Sequence, residues 1–245
     1  MANKGKYYES QFEEATIELL REAHWQYTFG DDIHRKYTDP LIEEDLRNFL
    51  TVQYKDKNLT ISEMDSIVAN LRNTGGQNDY YALRNAFLLY RDGYDFAYSD
   101  GRDNPFRLEY IDFGHPDHNI FRCVNQFVME QGRKNRRPDI LLFINGIPVC
   151  IIELKNPTKQ NATIRDAHTQ ICTRYMRDIP ALLKYCALVV ISDGAKNALG
   201  TTYTLFEFFY EWKKIENEDK AGKGLDTLRT LIRGALSPER ILEIL

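Results

Sequence analysis

The sequence predicts an α/β protein with a central mixed sheet flanked by helices and an additional helical part at the N-terminus. Two observations support this fold class. Apolar residues recur at helical spacing in segments between residues 8 and 91, for example Phe12, Leu19 and Ala23. From residue 106 onward the pattern changes to short apolar runs typical of strands, which are interrupted by one helical segment before the last run.

Helix-start signals divide the first part of the chain. Thr60 and Glu63 form a capping-box pattern, and Asp39-Pro40 is typical of an N-cap followed by a helix-initiating proline. The predicted helices cover residues 8–27, 39–54, a segment after Thr60 that includes Ile67 and Leu71, and 80–91 before Gly93.

The second part contains the predicted sheet. Strands are predicted at 106–113 and 120–129, as a hairpin at 139–155, and at 187–192, with a helix at 163–177. After residue 206 the pattern predicts an amphipathic helix, a charged turn at 216–223 and a helix pair broken at Ser237-Pro238. We therefore expect a main domain at 1–205 and a helical linker at 206–245. The helical pattern is still running at Ile244-Leu245, so a piece of a longer protein is expected.

Composition restricts the function classes. The chain has 245 residues, 43% of them hydrophobic, which is enough for a sizeable core. It has four cysteines without a C-x-x-C pair, no signal-peptide pattern and no apolar run long enough for a membrane span, so we expect a reduced, cytoplasmic protein without membrane contact. A net charge of -4 argues against a protein that coats nucleic acid, so any DNA contact must be local.

The most informative motif is P-D-x13-E-x-K, formed by Pro138-Asp139, Glu153 and Lys155 around the apolar hairpin. Isolated charges in such a run cost several kcal/mol each unless they are paired or bind a metal. The simplest explanation is a divalent metal site. The alternative is an ordinary strand end, with Asp139 capping and the other two side chains solvated.

Phosphodiester hydrolysis is the chemistry that this motif favours. Mg²⁺ prefers hard oxygen ligands, and Asp139, Glu153 and the backbone carbonyl of Leu154 offer them. Lys155 lies one strand period beyond Glu153 and therefore points to the same face. It can orient or deprotonate the attacking water or stabilise developing charge, and the sequence leaves these roles open.

The hairpin register provides an internal test of the site. A regular two-residue loop at Asn145-Gly146 would place Asp139 and Glu153 on opposite faces. A three-residue loop that begins at Ile144, with Gly146 in the left-handed region, would pair residues 139 and 151 and bring the carboxylates together. Metal binding therefore requires an odd loop or an equivalent bulge, and Pro148, which cannot donate to the ladder, is consistent with a disturbed hairpin.

A dense basic run precedes the motif and comprises Arg133, Lys134, Arg136 and Arg137. Its position beside Asp139 favours contacts with DNA phosphates. A solvated charged turn is the alternative.

Several segments agree with one family at the same time. The main ones are RRPD at 136–139, INGIP at 144–148, IIELKNP at 151–157 and RYMRDIP at 174–180, and further matching segments lie at 8–20, 110–127 and 189–194. Together they closely resemble, over nearly the whole chain, the N-terminal nuclease domain of the R subunit (HsdR) of type I restriction enzymes.

The resemblance implies a restriction-endonuclease-like PD-(D/E)xK fold at 1–205, with Asp139, Glu153 and Lys155 as catalytic residues. It implies Mg²⁺-dependent cleavage of double-stranded DNA without sequence reading, with Mn²⁺ as a substitute. It also implies methyltransferase and specificity partner subunits, and ATP-driven motor domains beyond the 206–245 linker, so that ATP is used only by the full-length subunit. These 245 residues contain no G-x4-G-K-[ST] phosphate loop. The competing hypothesis is a non-catalytic docking domain of a restriction assembly.

The family also carries a Gln-x3-Tyr motif that is thought to help position DNA. Here Gln170 and Tyr175 are one residue further apart, and a spacing of five turns two side chains about 140° apart on an ideal helix. Either a helix bulge restores the alignment or only one residue acts. A surface glutamine and a buried tyrosine are the alternative.

Two further groups of residues are metal candidates. Glu13 shares an inward stripe of the first helix with Ile17 and Leu20, so it is a candidate for an additional metal ligand, with plain helix solvation as the alternative. The group His115, Asp117, His118 and Asn119 also offers metal ligands, but its Gly-Pro context favours a strand connection.

Overall fold

The computed structural model describes residues 3–155, 163–215 and 224–245, with side chains from residue 10 onward. In these ranges a six-stranded mixed sheet lies at the centre, in the order β1-β4-β7-β8-β9-β10. The strands are β1 (Gln26–Phe29), β2 (Tyr94–Phe96), β3 (Phe106–Leu108), β4 (Phe121–Asn125), β5 (Met129–Gln131), β6 (Lys134–Arg136), β7 (Ile140–Ile144), β8 (Ile147–Leu154), β9 (Leu188–Ser192) and β10 (Asn197–Gly200).

Helices cover both faces of this sheet, which confirms the predicted fold class. The helices are α1 (Asn3–Glu22), α2 (Glu43–Gln53), α3 (Ile61–Asn73), α4 (Asp79–Asp92), α5 (Ile164–Thr169), α6 (Met176–Asp178), α7 (Pro180–Leu183), α8 (Leu225–Leu231) and α9 (Pro238–Ile244). A π-helical turn, Gln170–Tyr175, joins α5 to α6, and a second one, Ile232–Leu236, follows α8.

The two faces of the sheet have separate apolar cores, because successive side chains of a strand point to opposite sides. On one face, Ile140 and Ile152 pack with residues of α1 to α4, α8 and α9. On the other face, Leu141 and Ile151 pack with the segment from α5 to α7. Every residue of β7 and β8 is buried, so a charged side chain there stands out.

The first helix is shorter at its C-terminal end than predicted. It ends at Glu22, His24 has a positive φ of 70°, and β1 begins at Gln26 and pairs in parallel with β4. The prediction of helix through residue 27 is therefore wrong. Trp25 fixes the direction of the chain here, because its indole Nε1 donates to the Leu236 carbonyl at 2.7 Å.

Capping signals in the N-terminal part predict one helix start correctly and another incorrectly. The Thr60–Glu63 capping box is present, and α4 ends before Gly93 as predicted. Asp39 is not an N-cap, because α2 begins only at Glu43. Asp39 instead accepts a hydrogen bond from the Leu41 amide and pairs with Arg72.

Several strand and tail predictions also need correction. The segment 106–113 is a strand only at β3, which pairs with the unpredicted β2, and 120–129 is split at Gln126, whose φ is 54°. After residue 206 there is a short 3₁₀ turn, Phe206–Phe208, instead of an amphipathic helix, and β10 was not predicted. The predicted turn at 216–223 lies outside the described residues. The helix pair broken at Ser237-Pro238 is confirmed.

The C-terminal helices belong to the same core as the sheet. Leu228, Leu231, Ile232 and Leu236 are fully buried in the cluster that also contains Ile140 and Ile152. The stretch 225–245 of the predicted linker therefore packs against the preceding domain. The boundary at residue 205 stays a prediction.

Candidate active site

A bulge in the β7–β8 hairpin aligns the two acidic residues of the motif. The loop is a two-residue turn in which Asn145 and Gly146 both have positive φ, 50° and 76°. The register shifts between Leu142, which pairs with Cys150, and Phe143, which pairs with Pro148. One residue of β8 is therefore unmatched, which is the definition of a bulge.

The bulge restores the parity that the site requires. Ile140 pairs with Ile152, so continuing this register places Asp139 opposite Glu153. The predicted bulge is confirmed, whereas the three-residue loop that would pair residue 139 with 151 is wrong. A two-residue turn with positive φ at both positions matches the twist of the flanking strands. A Cβ on Gly146 would lie 2.1 Å from the Ile42 carbonyl oxygen, so the residue that precedes α2 approaches this turn too closely for a side chain at position 146.

Asp139, Glu153 and Lys155 converge at the open end of the hairpin. Asp139 Oδ2 accepts a hydrogen bond from the Leu154 amide at 2.7 Å. Lys155 Nζ lies 2.7 Å from Glu153 Oε1. The Lys155 amide donates to Ser192 on β9. In a trans peptide the C=O and N–H groups point in opposite directions. Because the Lys155 N–H points toward β9, the Leu154 carbonyl points away from β9, toward Asp139 just before β7.

Glu153 is a buried carboxyl group with an incomplete set of partners. Its relative exposure is 1%, and Oε2 accepts no hydrogen bond from the described residues. Burial and, to a smaller extent, the charge of Asp139 raise the pKa of Glu153, whereas Lys155 lowers it, and the resulting pKa is about 8. Because buried acceptors are almost always satisfied, the open oxygen points to a ligand.

The π-helical turn aligns Gln170 with Tyr175. In this turn backbone hydrogen bonds join residues five apart, so the pair lies on one face. Gln170 Nε2 donates to the Tyr175 hydroxyl at 2.7 Å, and Gln170 Oε1 accepts from Lys155 Nζ at 2.9 Å. Burial, together with the charge of Glu153, raises the pKa of Tyr175. The bulge that the sequence left as one alternative is therefore present, and it connects both residues to the lysine.

The basic run divides into exposed and engaged side chains. Arg133, Lys134 and Arg137 are exposed around the β5–β6 hairpin. Arg136 instead donates to the buried Asp178, with Nε at 2.8 Å. Hydrogen bonds from Arg177 and Arg136 hold the pKa of Asp178 well below its usual range. The contacts of Arg136 thus differ from the phosphate role predicted for it.

Glu13 does not join the other carboxylates. Among the described residues, no group of three ligand atoms within 4.8 Å of one another includes Glu13, Asp139 and Glu153. Both Glu13 oxygens accept hydrogen bonds, from Asn125 Nδ2 at 2.7 Å and from Gln126 Nε2 at 2.9 and 2.8 Å.

Glu13 supports the site indirectly. Glu13 accepts hydrogen bonds from the side-chain amide of Gln126. The backbone N–H of the same residue donates to the backbone carbonyl of Asp139 at 3.1 Å. Sequence reasoning missed Asn125 and Gln126, although two polar residues after an apolar strand are a usable signal. It also missed Asp178, which only the fold brings to Arg136.

The geometry defines a carboxylate–lysine hairpin site at the ends of the two central strands of a mixed α/β sheet, and comparison with known proteins agrees. The model of the family "Type I restriction enzyme R protein N terminus (HSDR_N)" matches residues 6–208. The chain belongs to this family.

Curated relatives support the same assignment. The chain is 28% identical to "Type I restriction enzyme HindI endonuclease subunit" of Haemophilus influenzae over 96% of this chain and 23% of the relative. It is 27% identical to "Putative type I restriction enzyme MjaIXP endonuclease subunit" of Methanocaldococcus jannaschii over 95% of this chain and 24% of the relative. The chain thus spans about a quarter of the length of these relatives. No helix in the described ranges is long and apolar enough to cross a membrane.

Proposed function

We propose that this chain is the nuclease module of a type I restriction enzyme R subunit and that it hydrolyses phosphodiester bonds of double-stranded DNA with Mg²⁺, without reading sequence. The observation that carries the proposal is the buried Glu153 with its open oxygen, opposite Asp139 and beside Lys155. The relatives, which are named endonuclease subunits of type I restriction enzymes, support the same class of reaction.

The donor set fits a hard divalent cation. Mg²⁺ is usually held by one or two carboxylates and keeps several waters, and all candidate ligands here are oxygens. Asp139, Glu153 and the Leu154 carbonyl would hold it, and Mn²⁺ would fit the same oxygens. The chemistry supplied by the bound ion is stabilisation of negative charge on the phosphate and activation of water. Glu153 must lose its proton to bind the ion, so binding at neutral pH is coupled to proton release.

Lys155 is oriented for electrostatic stabilisation. An ammonium group has three donors, and two of them are directed to Glu153 and Gln170. This arrangement fixes the side chain beside the carboxylates, so its charge can stabilise the phosphate oxygens as negative charge develops. Gln170 acts as a positioning residue because it accepts a hydrogen bond from Lys155, and Tyr175 acts with it because its hydroxyl accepts from Gln170 and interacts with Glu153.

DNA contacts are assigned to the exposed part of the basic run. Arg133, Lys134 and Arg137 would bind phosphates beside the site, which adds affinity without sequence specificity. Arg136 would hold α6 in place through Asp178. With a net charge of -4, the chain offers little general attraction for DNA. We therefore assign delivery of DNA to ATP-driven motor domains and to methyltransferase and specificity subunits.

A DNA-cleavage assay with the assembled enzyme tests the proposal. Asp139→Ala and Lys155→Ala should each lower the cleavage rate by at least about 10²-fold, because Asp139 would hold the metal ion and Lys155 would stabilise negative charge on the phosphate. Lys213→Ala is the matched control, since this lysine is 74% exposed and pairs only with Glu211 in the described part of the chain. Near wild-type cleavage by either site variant would favour the non-catalytic docking domain instead.

A further inference from the structure

A second cluster of metal-ligand side chains lies in the connection between β3 and β4. His118 Nδ1 is 2.9 Å and His115 Nδ1 is 3.4 Å from the same oxygen, Asp112 Oδ2. The two imidazole rings stack with their centroids 4.7 Å apart and an interplanar angle of 20°. In the described part of the chain, this is the one group of three such residues whose ligand atoms lie within 4.8 Å of one another.

The local sequence builds this cluster. His115 precedes the 3₁₀ turn Pro116–His118, and side chains three residues apart eclipse in a 3₁₀ helix, so the two rings stack. Asp112 is 6% exposed, and its Oδ1 accepts hydrogen bonds from the amides of Gly114 and His115. Its Oδ2 also accepts from Gln53 Nε2 on α2 at 3.2 Å. The carboxylate is therefore fixed before any ligand binds.

The two nitrogen–oxygen distances are close to those of a tetrahedral metal centre. Zn²⁺ binds histidine nitrogen and carboxylate oxygen at about 2.0–2.2 Å, so neighbouring ligand atoms of a tetrahedron lie about 3.3–3.5 Å apart. The His115 contact already has this length, and the His118 contact is shorter by less than about 1 Å. We propose that Asp112, His115 and His118 form a binding site for a single transition-metal ion of the Zn²⁺ class.

A hydrogen-bonded loop alone accounts for only part of this arrangement. It accounts for the 2.9 Å contact of His118 and for the amide bonds of Asp112. It does not account for a second imidazole nitrogen 3.4 Å from Oδ2, an oxygen that already contacts His118 Nδ1 at 2.9 Å and accepts from Gln53. Both histidine side chains are half exposed or more, at 66% and 50%, so an ion can reach them from solvent.

The proposed site is separate from the nuclease site in position and in chemistry. Asn119, next to His118, accepts a hydrogen bond from Asn145 in the turn of the β7–β8 hairpin. This turn lies at the opposite end of β7 from Asp139, roughly 17 Å away for five residues at 3.3 Å each. Imidazole ligands favour Zn²⁺, Ni²⁺ or Cu²⁺, whereas Mg²⁺ favours oxygen. Excess Mg²⁺ can therefore occupy the nuclease site without competing here.

Metal titration of the purified chain, without a polyhistidine tag and in excess Mg²⁺, tests the proposal. Co²⁺ is added as a spectroscopic probe and is then displaced with Zn²⁺. We expect one Co²⁺ per chain, with visible absorption typical of low coordination number, and displacement by one Zn²⁺. His115→Ala and His118→Ala should each lower the affinity at least about tenfold, the scale of losses even for groups that only support ligands.

Two controls make the result specific. His34→Ala removes an exposed histidine outside the cluster and should leave the affinity unchanged. Glu153→Gln changes the nuclease site and should also leave it unchanged. His115→Ala keeps both the Asp112–His118 hydrogen bond and its own amide bond to Asp112, so the fold should persist, and thermal melting in chelator verifies this. Absence of Zn²⁺ binding by the wild-type chain, or equal affinity in the His115→Ala/His118→Ala variant, would overturn the proposal.

Discussion

The two ends of the β7–β8 hairpin are equally buried but differ in hydrogen bonding. At the turn, Asn145 is fully buried and every polar group of its side chain has a partner: Nδ2 donates to Tyr110 and Asn119, and Oδ1 accepts from the Ile120 amide. At the open end, Glu153 is buried to the same extent, yet one carboxyl oxygen has no hydrogen bond among the described residues.

This difference distinguishes a buried polar side chain that stabilises the fold from one that is available to bind a ligand. A buried polar group whose partners are complete stabilises the fold, and its loss leaves those partners unpaired. A buried carboxylic acid with a raised pKa and an open oxygen costs stability until a ligand compensates for it. Substitutions at the turn should therefore affect folding, and substitutions at the open end should affect chemistry.

The largest effect on stability is expected at the turn. Asn145→Ala would leave the Tyr110 carbonyl and the Ile120 amide without their side-chain partner, and alanine disfavours the positive φ at this position. We expect a loss of about 2–4 kcal/mol in the free energy of unfolding, measured by urea denaturation. Asn145→Gly, which tolerates the positive φ, should lose less. A stable Asn145→Ala variant would contradict the structural role of this end.

Gln170 is expected to have an intermediate effect, on activity alone. Gln170→Ala removes the acceptor that holds Lys155 and the donor to Tyr175, so the lysine should be less well placed. We expect about a tenfold lower single-turnover cleavage rate with unchanged Tm, because a positioning residue acts through geometry. Gln170→Glu keeps an acceptor for the lysine and should recover part of the rate. Equal rates for Gln170→Ala and wild type would remove Gln170 from the site.

The pH dependence of stability tests the raised pKa of Glu153. Its pKa rises from 4.5 to about 8 on folding, so the folded state holds a proton that the unfolded state has lost. The stability of the folded state that depends on protonated Glu153 is fully present below pH 4.5, decreases above it, and is lost as pH rises through 8. Metal-free Glu153→Gln should therefore melt at least about 2 °C above wild type at pH 8. The difference should vanish near pH 4.5, and equal melting temperatures at pH 8 would contradict the assignment.

The smallest effects are expected at the exposed basic residues. Arg133→Ala and Lys134→Ala should weaken binding of duplex DNA to the same degree for all sequences and lower the slope of log affinity against log salt by about 1 each. Arg136→Ala should instead lower the Tm, because it leaves the buried Asp178 with Arg177 as its remaining charged partner. A Tm loss in Arg133→Ala, or a pure salt effect in Arg136→Ala, would reverse these roles.

The sequence predicted the parts of the fold whose signals are local. The apolar runs of β7, β8 and β9 and the capping box at Thr60 are visible within a few residues, and strand alternation alone shows that the hairpin needs an odd loop or a bulge to align its carboxylates. β1 was missed because its four residues follow directly on a helical pattern and are stabilised by pairing with β4, far away in the sequence. β10 likewise depends on β9.

The site was predictable to the extent that strand periodicity determines it. Alternation along β8 places Glu153 and Lys155 on one face, so both could be selected from the sequence. The sequence could not predict that Arg136 pairs with Asp178, or that Glu13 accepts hydrogen bonds from Asn125 and Gln126. These contacts join segments that only the complete fold brings together. The spacing of Gln170 and Tyr175 required either a bulge or two unrelated roles, and only the structure contains the π turn that decides between them.

Calorimetric titration of the chain with Mn²⁺ at neutral pH tests the central claim most directly, because it measures ligand binding at the open oxygen of Glu153. Run in two buffers of different ionisation enthalpy, it also measures proton release, which the raised pKa of Glu153 requires. We predict one Mn²⁺ bound with release of a proton by the wild-type chain, and loss of both in Glu153→Gln. Equal Mn²⁺ affinity in Glu153→Gln, or binding without proton release, would contradict the account.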